Sequence, residues 1–171
     1  MTMTGEQIIA KRTNKTIYRD GDMTVKLFDP TYAAADVLNE AVNLARVGDA
    51  DTPLHIPRLR EVTKIDGQWA ILYDHVEGES LADLMREHPE KYDGYLNLFV
   101  DLQMLIHRQS VPLLSGLRDK MHSKISASGL DATLRYELHT RLEGMPRHFK
   151  LCHGDFNAAN IIITASGDPY I

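Results

Sequence analysis

The segment from Leu151 to Ile163, LCHGDFNAANIII, sets groups that can move a proton and bind a metal beside a run of isoleucines. Asp155 can accept the proton of a hydroxyl group and direct that hydroxyl at an electrophile. Asn160 follows after four intervening residues, and its amide oxygen is a suitable hard ligand for Mg²⁺. Gly154 permits a bend, and His153 can brace the loop through the backbone. Phosphoryl transfer uses such a base and metal ligand.

The same loop has a second interpretation, in which its polar side chains serve only its own backbone. Asp and Asn are common in tight loops because their side chains hydrogen-bond nearby backbone groups. Apolar residues on both sides predict two short buried strands, KLC at 150–152 and NIIIT at 160–164. Cys152 is then a small buried strand residue. The pattern alone leaves the catalytic and the structural interpretations open.

A second candidate pair joins a predicted strand to a predicted helix. Glu40 lies within the apolar stripe of the helix predicted at 32–48, where a charge needs a partner or solvent. Lys26 is the matching cation, inside the strand MTVKLF. Such a Lys–Glu pair can aim an ammonium at nucleotide phosphates. The alternative is that Glu40 lies in water at the edge of the stripe and that Lys26 extends its ammonium to solvent.

The elements around these residues form two groups. Short strands, one helix and a hairpin signal at Asp66-Gly67 predict a small antiparallel sheet lobe over 1–76. A connector follows at 73–79. Helical periodicity then dominates, and Ser80 caps the first helix of a mainly helical lobe over 77–171. A short hairpin closes this lobe around the loop described above.

Composition excludes several classes of protein. With 171 residues, 43% hydrophobic and 25% charged, the chain is typical of globular proteins. The net charge of −5, without long blocks of one sign, argues against nucleic acid as a partner. No apolar run approaches the ~18 residues of a membrane span, so we expect no membrane partner. A single cysteine excludes an intrachain disulfide, and we predict a cytoplasmic protein.

Two other chemical interpretations are weaker. His148, Cys152, His153 and Asp155 suggest a metal cluster, but adjacent Cys and His residues suit no common zinc spacing. The sequence GESLA at 78–82 resembles a nucleophile elbow but lacks its final glycine, and Ser80 is better explained as a helix cap.

Three segments, in their order, carry a resemblance to a known family. MTVKLF, NEAV and CHGDFNAANIII resemble the aminoglycoside-phosphotransferase-like branch of the protein-kinase-like fold. His-Gly-Asp, four residues and Asn form that family's catalytic-loop signature, here at 153–160. WAILYDHVEGESLADLM resembles its hinge strand and the start of its large lobe. The resemblance covers essentially the whole chain and implies an α+β, two-lobed fold.

The resemblance also implies roles for the candidate residues. Asp155 would be the catalytic base and Asn160 a Mg²⁺ ligand. Lys26 would contact the α- and β-phosphates of ATP or GTP, and Glu40 would hold Lys26 in place. His153 and Gly154 would be structural.

Two further segments would bind the nucleotide. Residues 11–18 would form the loop over it, but they lack the glycines that protein kinases use. Polar side chains would donate hydrogen bonds in their place: Thr13, Asn14 and Thr16. The connector would offer backbone groups to adenine, from Tyr73, Asp74, His75 and Val76.

The family places a second Mg²⁺ ligand, an aspartate, in the strand that begins at "PYI", where this sequence ends. We therefore expect an incomplete C-terminal lobe that self-associates or is marginally stable, and little kinase activity from residues 1–171 alone. Two functions stay open. One is transfer of a γ-phosphoryl group from ATP or GTP to a hydroxyl of a small molecule, such as an aminoglycoside. The other is a catalytically inactive, truncated remnant of such a kinase.

Overall fold

A computed structural model describes residues 7–171. The first six residues of the predicted 1–76 lobe lie outside the described part. The larger sheet has five strands: β1 (Gln7–Arg12), β2 (Lys15–Asp20), β3 (Met23–Phe28), β4 (Leu59–Ile65) and β5 (Gln68–Asp74). It is antiparallel, with the order β1-β2-β3-β5-β4. The helix α1 (Ala34–Gly48) connects β3 to β4.

Local turn chemistry sets the register of this sheet. Gly21 has φ +62° between β2 and β3. Asp66 and Gly67, with φ of 49° and 83°, join β4 to β5 in the left-handed conformation that two-residue hairpins require. The hairpin predicted at these two residues is therefore confirmed.

Both faces of the larger sheet are packed. On one face Val25 lies in a buried cluster with Ile65, Ala70 and Leu72. On the other face Phe28 and Ile71 pack against α1 through a second cluster. Each fully buried side chain of this size stabilises the fold by roughly 1.5–3 kcal/mol. The helix α1 is thus fixed on the face that also carries Lys26.

The second half of the chain is mainly helical. Its helices are α2 (Leu81–Glu87), α3 (Tyr92–Arg108), α4 (Leu117–Ala127) and α5 (Ala132–Glu143). Ser80 caps α2, because its hydroxyl accepts the N–H of Asp83 at 3.0 Å. That contact supports the cap and leaves the nucleophile-elbow interpretation without structural support. Asp131 caps α5 in the same way, at 2.9 Å from the N–H of Leu134.

A smaller sheet and an apolar cluster anchor the segment from His153 to Ile163. The strands β6 (Glu79–Ser80), β7 (Ile162–Ile163) and β8 (Pro169–Tyr170) pair in that order. Ile161 is fully buried with Leu81 and Leu102. Phe156 stacks on Phe99 of α3 with ring centroids 4.7 Å apart. The loop is therefore held at its middle and at its C-terminal end.

Three details differ from the sequence predictions. Residues 150–152 do not form a strand, and Leu151 makes a single backbone bond, from its N–H to the carbonyl of Gln109 at 3.1 Å. Cys152 is exposed rather than buried. Asn160 ends a 3₁₀ turn, Ala158–Asn160, instead of beginning a strand. The buried Ile161 lies between this turn and the strand that follows, which covers only two residues.

No helix within residues 7–171 combines the length and the apolar character that crossing a membrane requires.

Candidate active site

The loop from His153 to Asn160 is shaped by one glycine and one histidine. Gly154 has φ +90°, a conformation that side-chain-bearing residues rarely adopt. His153 accepts the N–H of Asp155 on its Nδ1 atom at 3.3 Å. The imidazole thus braces the backbone at the carboxylate, in the way that the sequence predicted.

Two side-chain amides orient the carboxylate of Asp155. Asn157 donates its Nδ2 to Oδ1 at 3.2 Å, and Asn160 donates its Nδ2 to Oδ2 at 3.1 Å. Asn157 is itself fixed, because its Oδ1 accepts the N–H of Ala159 at 3.0 Å. Hydrogen bonds to both oxygens define the direction of the carboxylate. Sequence reasoning did not select Asn157, although an Asn two residues after an Asp in a turn is a usable signal.

The amide of Asn160 fits a metal ligand. Its Nδ2 is used by Asp155, on the carboxylate and on the backbone oxygen at 2.9 Å. Its Oδ1 accepts no hydrogen bond from any residue in 7–171 and is free to bind a hard cation. Magnesium held there would take its other ligands from phosphate oxygens, water or further oxygen donors.

The metal-cluster interpretation has no support. The described residues contain no group of three or more His, Cys, Asp or Glu side chains arranged to hold a metal ion. His148, Cys152 and His153 therefore do not converge with Asp155 on a cation.

Lys26 and Glu40 form the ion pair that the sequence predicted between strand and helix. The Lys26 side chain is 14% exposed and the Glu40 side chain 39%. The alternative in which both charges lie separately in solvent is therefore wrong. The pair places an ammonium on the face of the sheet that α1 covers, and its role toward a nucleotide stays a prediction.

The strand register corrects one expectation for residues 11–18. Thr16 pairs with Leu27, and Ile17 pairs with Lys26. Paired residues share a face and neighbours along a strand alternate, so Thr16 points away from the face of Lys26. Thr13 and Asn14 form the β1–β2 turn, and the carbonyl of Asn14 accepts the N–H of Asp29 at 3.0 Å. The hydroxyl of Thr16 is therefore poorly placed for a phosphate beside Lys26.

Lys15, which sequence reasoning did not select, lies on the same face as Lys26. It is two residues from Ile17, so alternation puts its side chain beside the Lys26–Glu40 pair. Burial lowers the pKa of Lys15, the nearby Lys26 ammonium lowers it further, and the charges of Glu40 and Asp155 oppose both effects. The charges of the ion pair and of Asp155 thus act on the same lysine.

The connector has a defined set of free backbone groups. The N–H of Asp74 donates to Arg58 at 3.0 Å, and the N–H of His75 donates to Asp22 at 2.8 Å. These two N–H groups are therefore not free for adenine, and the expectation that the connector offers backbone groups to adenine stays a prediction. Within residues 7–171 the N–H of Val76 has no backbone partner, so this group remains available.

Side chains at the connector are also fixed. Tyr73 is partly buried, and burial followed by the charge of Glu40 raises its pKa to about 12. The ring of His75 bonds the hydroxyl of Thr24 at 2.9 Å through Nδ1. Thr24 is only 6% exposed. Burial and the nearby Arg19 lower the pKa of His75, so the imidazole is neutral at pH 7 and the connector is tied to β3.

Comparison with known protein families shows to which family this chain belongs. The family model described as "APH: Phosphotransferase enzyme family" matches residues 4–171. The chain belongs to this phosphotransferase family. No curated protein sequence matches it significantly.

Solved structures of aminoglycoside phosphotransferases share the fold. A thermostable mutant of APH(4)-Ia, in its apo form, superposes with a TM-score of 0.60 at 16% identity, covering 97% of this chain and 64% of that one. The GDP and kanamycin complex of APH(2")-IIia gives a TM-score of 0.58 at 19% identity, covering 100% and 67%. A ternary complex of the APH(4)-Ia mutant with AMP-PNP and hygromycin B gives 0.60 at 16% identity, covering 98% and 65%.

These likenesses confirm the predicted fold class, an α+β, two-lobed protein-kinase-like fold. The chain spans less than two thirds of the length of APH(4)-Ia. The boundary near residue 76 stays a prediction.

Proposed function

We propose that this chain carries the nucleotide-binding and proton-accepting parts of a small-molecule kinase. The reaction is Mg²⁺-dependent transfer of the γ-phosphoryl group of ATP or GTP to a hydroxyl. The observation that carries the proposal is the carboxylate of Asp155, held by Asn157 and Asn160. The Lys26–Glu40 ion pair supplies a held ammonium for the phosphates. Membership of the phosphotransferase family supports the reaction class.

The proposed reaction is a single displacement at the γ-phosphorus. The acceptor hydroxyl oxygen bonds to the γ-phosphorus while its proton passes to the carboxylate of Asp155. The bond from the γ-phosphorus to the bridging oxygen breaks, so the products are a phosphate monoester and a nucleoside diphosphate. Asp155 needs little movement, because two amides already orient it, and positioning dominates catalysis in this class of reaction.

Other residues of the site bind the donor. Lys26, held by Glu40, contacts the α- and β-phosphates, and Val76 offers its N–H to the base. Asn160 supplies one oxygen to Mg²⁺, which when bound neutralises phosphate charge. The GDP and AMP-PNP complexes of the structural neighbours support a purine nucleotide donor.

The acceptor we propose is an amino-sugar such as an aminoglycoside. Kanamycin and hygromycin B in the neighbouring structures support this class. The acidic residues near the connector add little, because Asp74 pairs with Arg60 and Glu77 pairs with Arg19. Other small hydroxyl compounds, among them choline-like and sugar acceptors, belong in the same assay.

Self-association is part of the proposal for residues 1–171. The outer face of α3 exposes apolar side chains at four-residue spacing: Tyr92, Leu96, Val100 and Met104. A second copy of the chain can cover this stripe with its own, as a two-fold symmetric contact requires. Light scattering should give a mass above 19.3 kDa, and Val100→Glu should return it to the monomer. A monomeric wild-type chain would contradict this.

Radiolabelled γ-phosphate transfer tests the proposed function. Wild-type chain and Asp155→Asn are incubated with MgATP or MgGTP and a panel of hydroxyl acceptors that includes kanamycin and hygromycin B. We expect labelled acceptor at a low rate with the wild type and none with Asp155→Asn. Nucleotide binding without transfer to any acceptor would favour the inactive-remnant alternative.

A further inference from the structure

The ammonium of Lys15 has no carboxylate partner of its own within residues 7–171. It is half-buried at the start of β2, and alternation along that strand puts it on the face of Lys26. Within residues 7–171 Lys15 makes no salt bridge, whereas the carboxylate of Glu40 is already paired with Lys26. An ammonium that is partly desolvated, unpaired and next to a second ammonium is unfavourable unless an anion joins it.

The neighbours of Lys15 locate this anion. The strand register puts Lys15 on the face of Lys26, and the negative charge of Asp155 opposes the lowering of the Lys15 pKa, although it is the weakest of the influences on that pKa. Lys15 is therefore near the cation expected at the inner phosphates, on the side from which the charge of the expected base acts on it. In a phosphoryl transfer, the group between those two positions is the terminal phosphate.

We propose that Lys15 binds the terminal phosphate of the donor and holds the γ-phosphoryl group in line with the hydroxyl at Asp155. This deepens the proposed function and rests on it for the identity of the nucleotide. The anion site itself, made by Lys15 and Lys26, does not depend on a purine base. Inorganic tripolyphosphate is therefore a probe of Lys15 that is separate from nucleotide recognition.

The test measures binding to the 171-residue chain by calorimetry, with MgATP, MgADP and inorganic tripolyphosphate. Lys15→Met should weaken MgATP and tripolyphosphate about ten- to a hundredfold, the range of one hydrogen bond to a charged group. MgADP should change less than about threefold, because it lacks the γ-phosphate. Lys15→Arg should keep most of the affinity. Lys64→Met, which removes an exposed lysine from the same sheet, should bind as the wild type does.

Proton uptake on binding distinguishes phosphate binding by Lys15 from a purely structural role of that residue. An anion beside Lys15 favours its charged form, so MgATP binding at alkaline pH should take up protons in the wild type, measured in buffers of different ionisation enthalpy. The uptake should be smaller in Lys15→Met and also in Lys15→Arg, because an arginine stays protonated throughout. Equal uptake in all three proteins would contradict the proposal.

The outcomes separate the two proposals. If Lys15→Met binds MgATP and tripolyphosphate within twofold of the wild type, the Lys15 assignment is wrong while the kinase function stands. If Lys15→Met weakens MgATP and MgADP equally, the terminal-phosphate assignment is wrong. If the wild type binds tripolyphosphate through Lys15 but neither nucleotide, the anion site stands and the kinase function fails. If it binds none of the three, both proposals fail.

Discussion

Asn160 donates its side-chain amide to both the backbone oxygen and the carboxylate of Asp155, at 2.9 and 3.1 Å. The residue expected to bind the metal therefore also orients the residue expected to accept the proton. Because the Oδ1 of Asn160 is free, the same side chain can bind the metal and orient Asp155. A change at Asn160 should consequently affect metal use and base geometry together, whereas a change at Asn157 should affect geometry alone.

The first prediction concerns the base. Asp155→Asn should lower kcat for phosphoryl transfer by about 10²–10⁴, the contribution of a positioned general base, with little change in nucleotide affinity. The matched control is Asp51→Asn, at an exposed aspartate outside the site. Steady-state kinetics would show the difference. Turnover of Asp155→Asn close to that of the wild type would remove Asp155 from the mechanism.

The second prediction separates the two asparagines. Asn157→Ala should reduce kcat without changing the Mg²⁺ concentration for half-maximal activity, because it removes the two hydrogen bonds to the backbone oxygen and the carboxylate of Asp155 but no free ligand oxygen. Asn160→Ala should reduce kcat and raise that Mg²⁺ concentration, because it also removes the free Oδ1. Magnesium titrations of both variants measure this. The same Mg²⁺ requirement in Asn160→Ala as in the wild type would contradict the ligand role.

The third prediction concerns the pair of Lys26 and Glu40. Glu40→Gln leaves the mostly buried ammonium of Lys26 without its charged partner, so the ammonium is less well held. We expect nucleotide affinity to fall about tenfold, as for one charge-assisted hydrogen bond. Asp36→Asn on the same helix is the control. A double-mutant cycle with Lys26→Met should show coupling, and strictly additive losses would mean that the two residues act independently.

The fourth prediction is a pH dependence of stability. Burial lowers the pKa of His75 below its ordinary 6.5, Arg19 lowers it further, and Glu77 opposes both. The unfolded chain therefore takes up a proton on His75 at a higher pH than the folded chain. The free energy of unfolding should fall as pH drops below about 6.5, and this contribution should level off below the folded pKa.

Urea unfolding between about pH 5 and 8 measures this slope. Carboxylates with lowered pKa, such as Asp83 and Glu143, lose their stabilising contribution only below their ordinary values of 3.8 and 4.5, so they do not mask it. His75→Gln should flatten the curve near pH 6. An unchanged slope in that variant would show that His75 does not cause it.

Local signals account for most of what the sequence could predict. The turns at Gly21 and Asp66-Gly67, and the caps at Ser80 and Asp131, depend on residues close in the chain. The Lys26–Glu40 pair was predictable because a charge inside an apolar stripe requires a partner.

What the sequence could not predict depends on register and long-range packing. The strand expected at 150–152 does not form, and Cys152 is exposed, because an apolar run does not specify a pairing partner. Thr16 was expected at the phosphates, but its pairing with Leu27 puts its side chain on the face opposite Lys26. The same register puts Lys15 on the face of Lys26. Apolar periodicity does not determine which face of β2 is turned toward α1.

Chemical-shift mapping of the 171-residue chain during titration with MgATP or MgGTP tests whether the sheet residues and the catalytic loop form one site. We predict that the amide resonances of Lys26, Val76 and Asn160 shift together and give one dissociation constant. Lys15→Met should raise that constant. Saturable binding that leaves both Lys26 and Asn160 unperturbed would place the nucleotide elsewhere and contradict the proposed site.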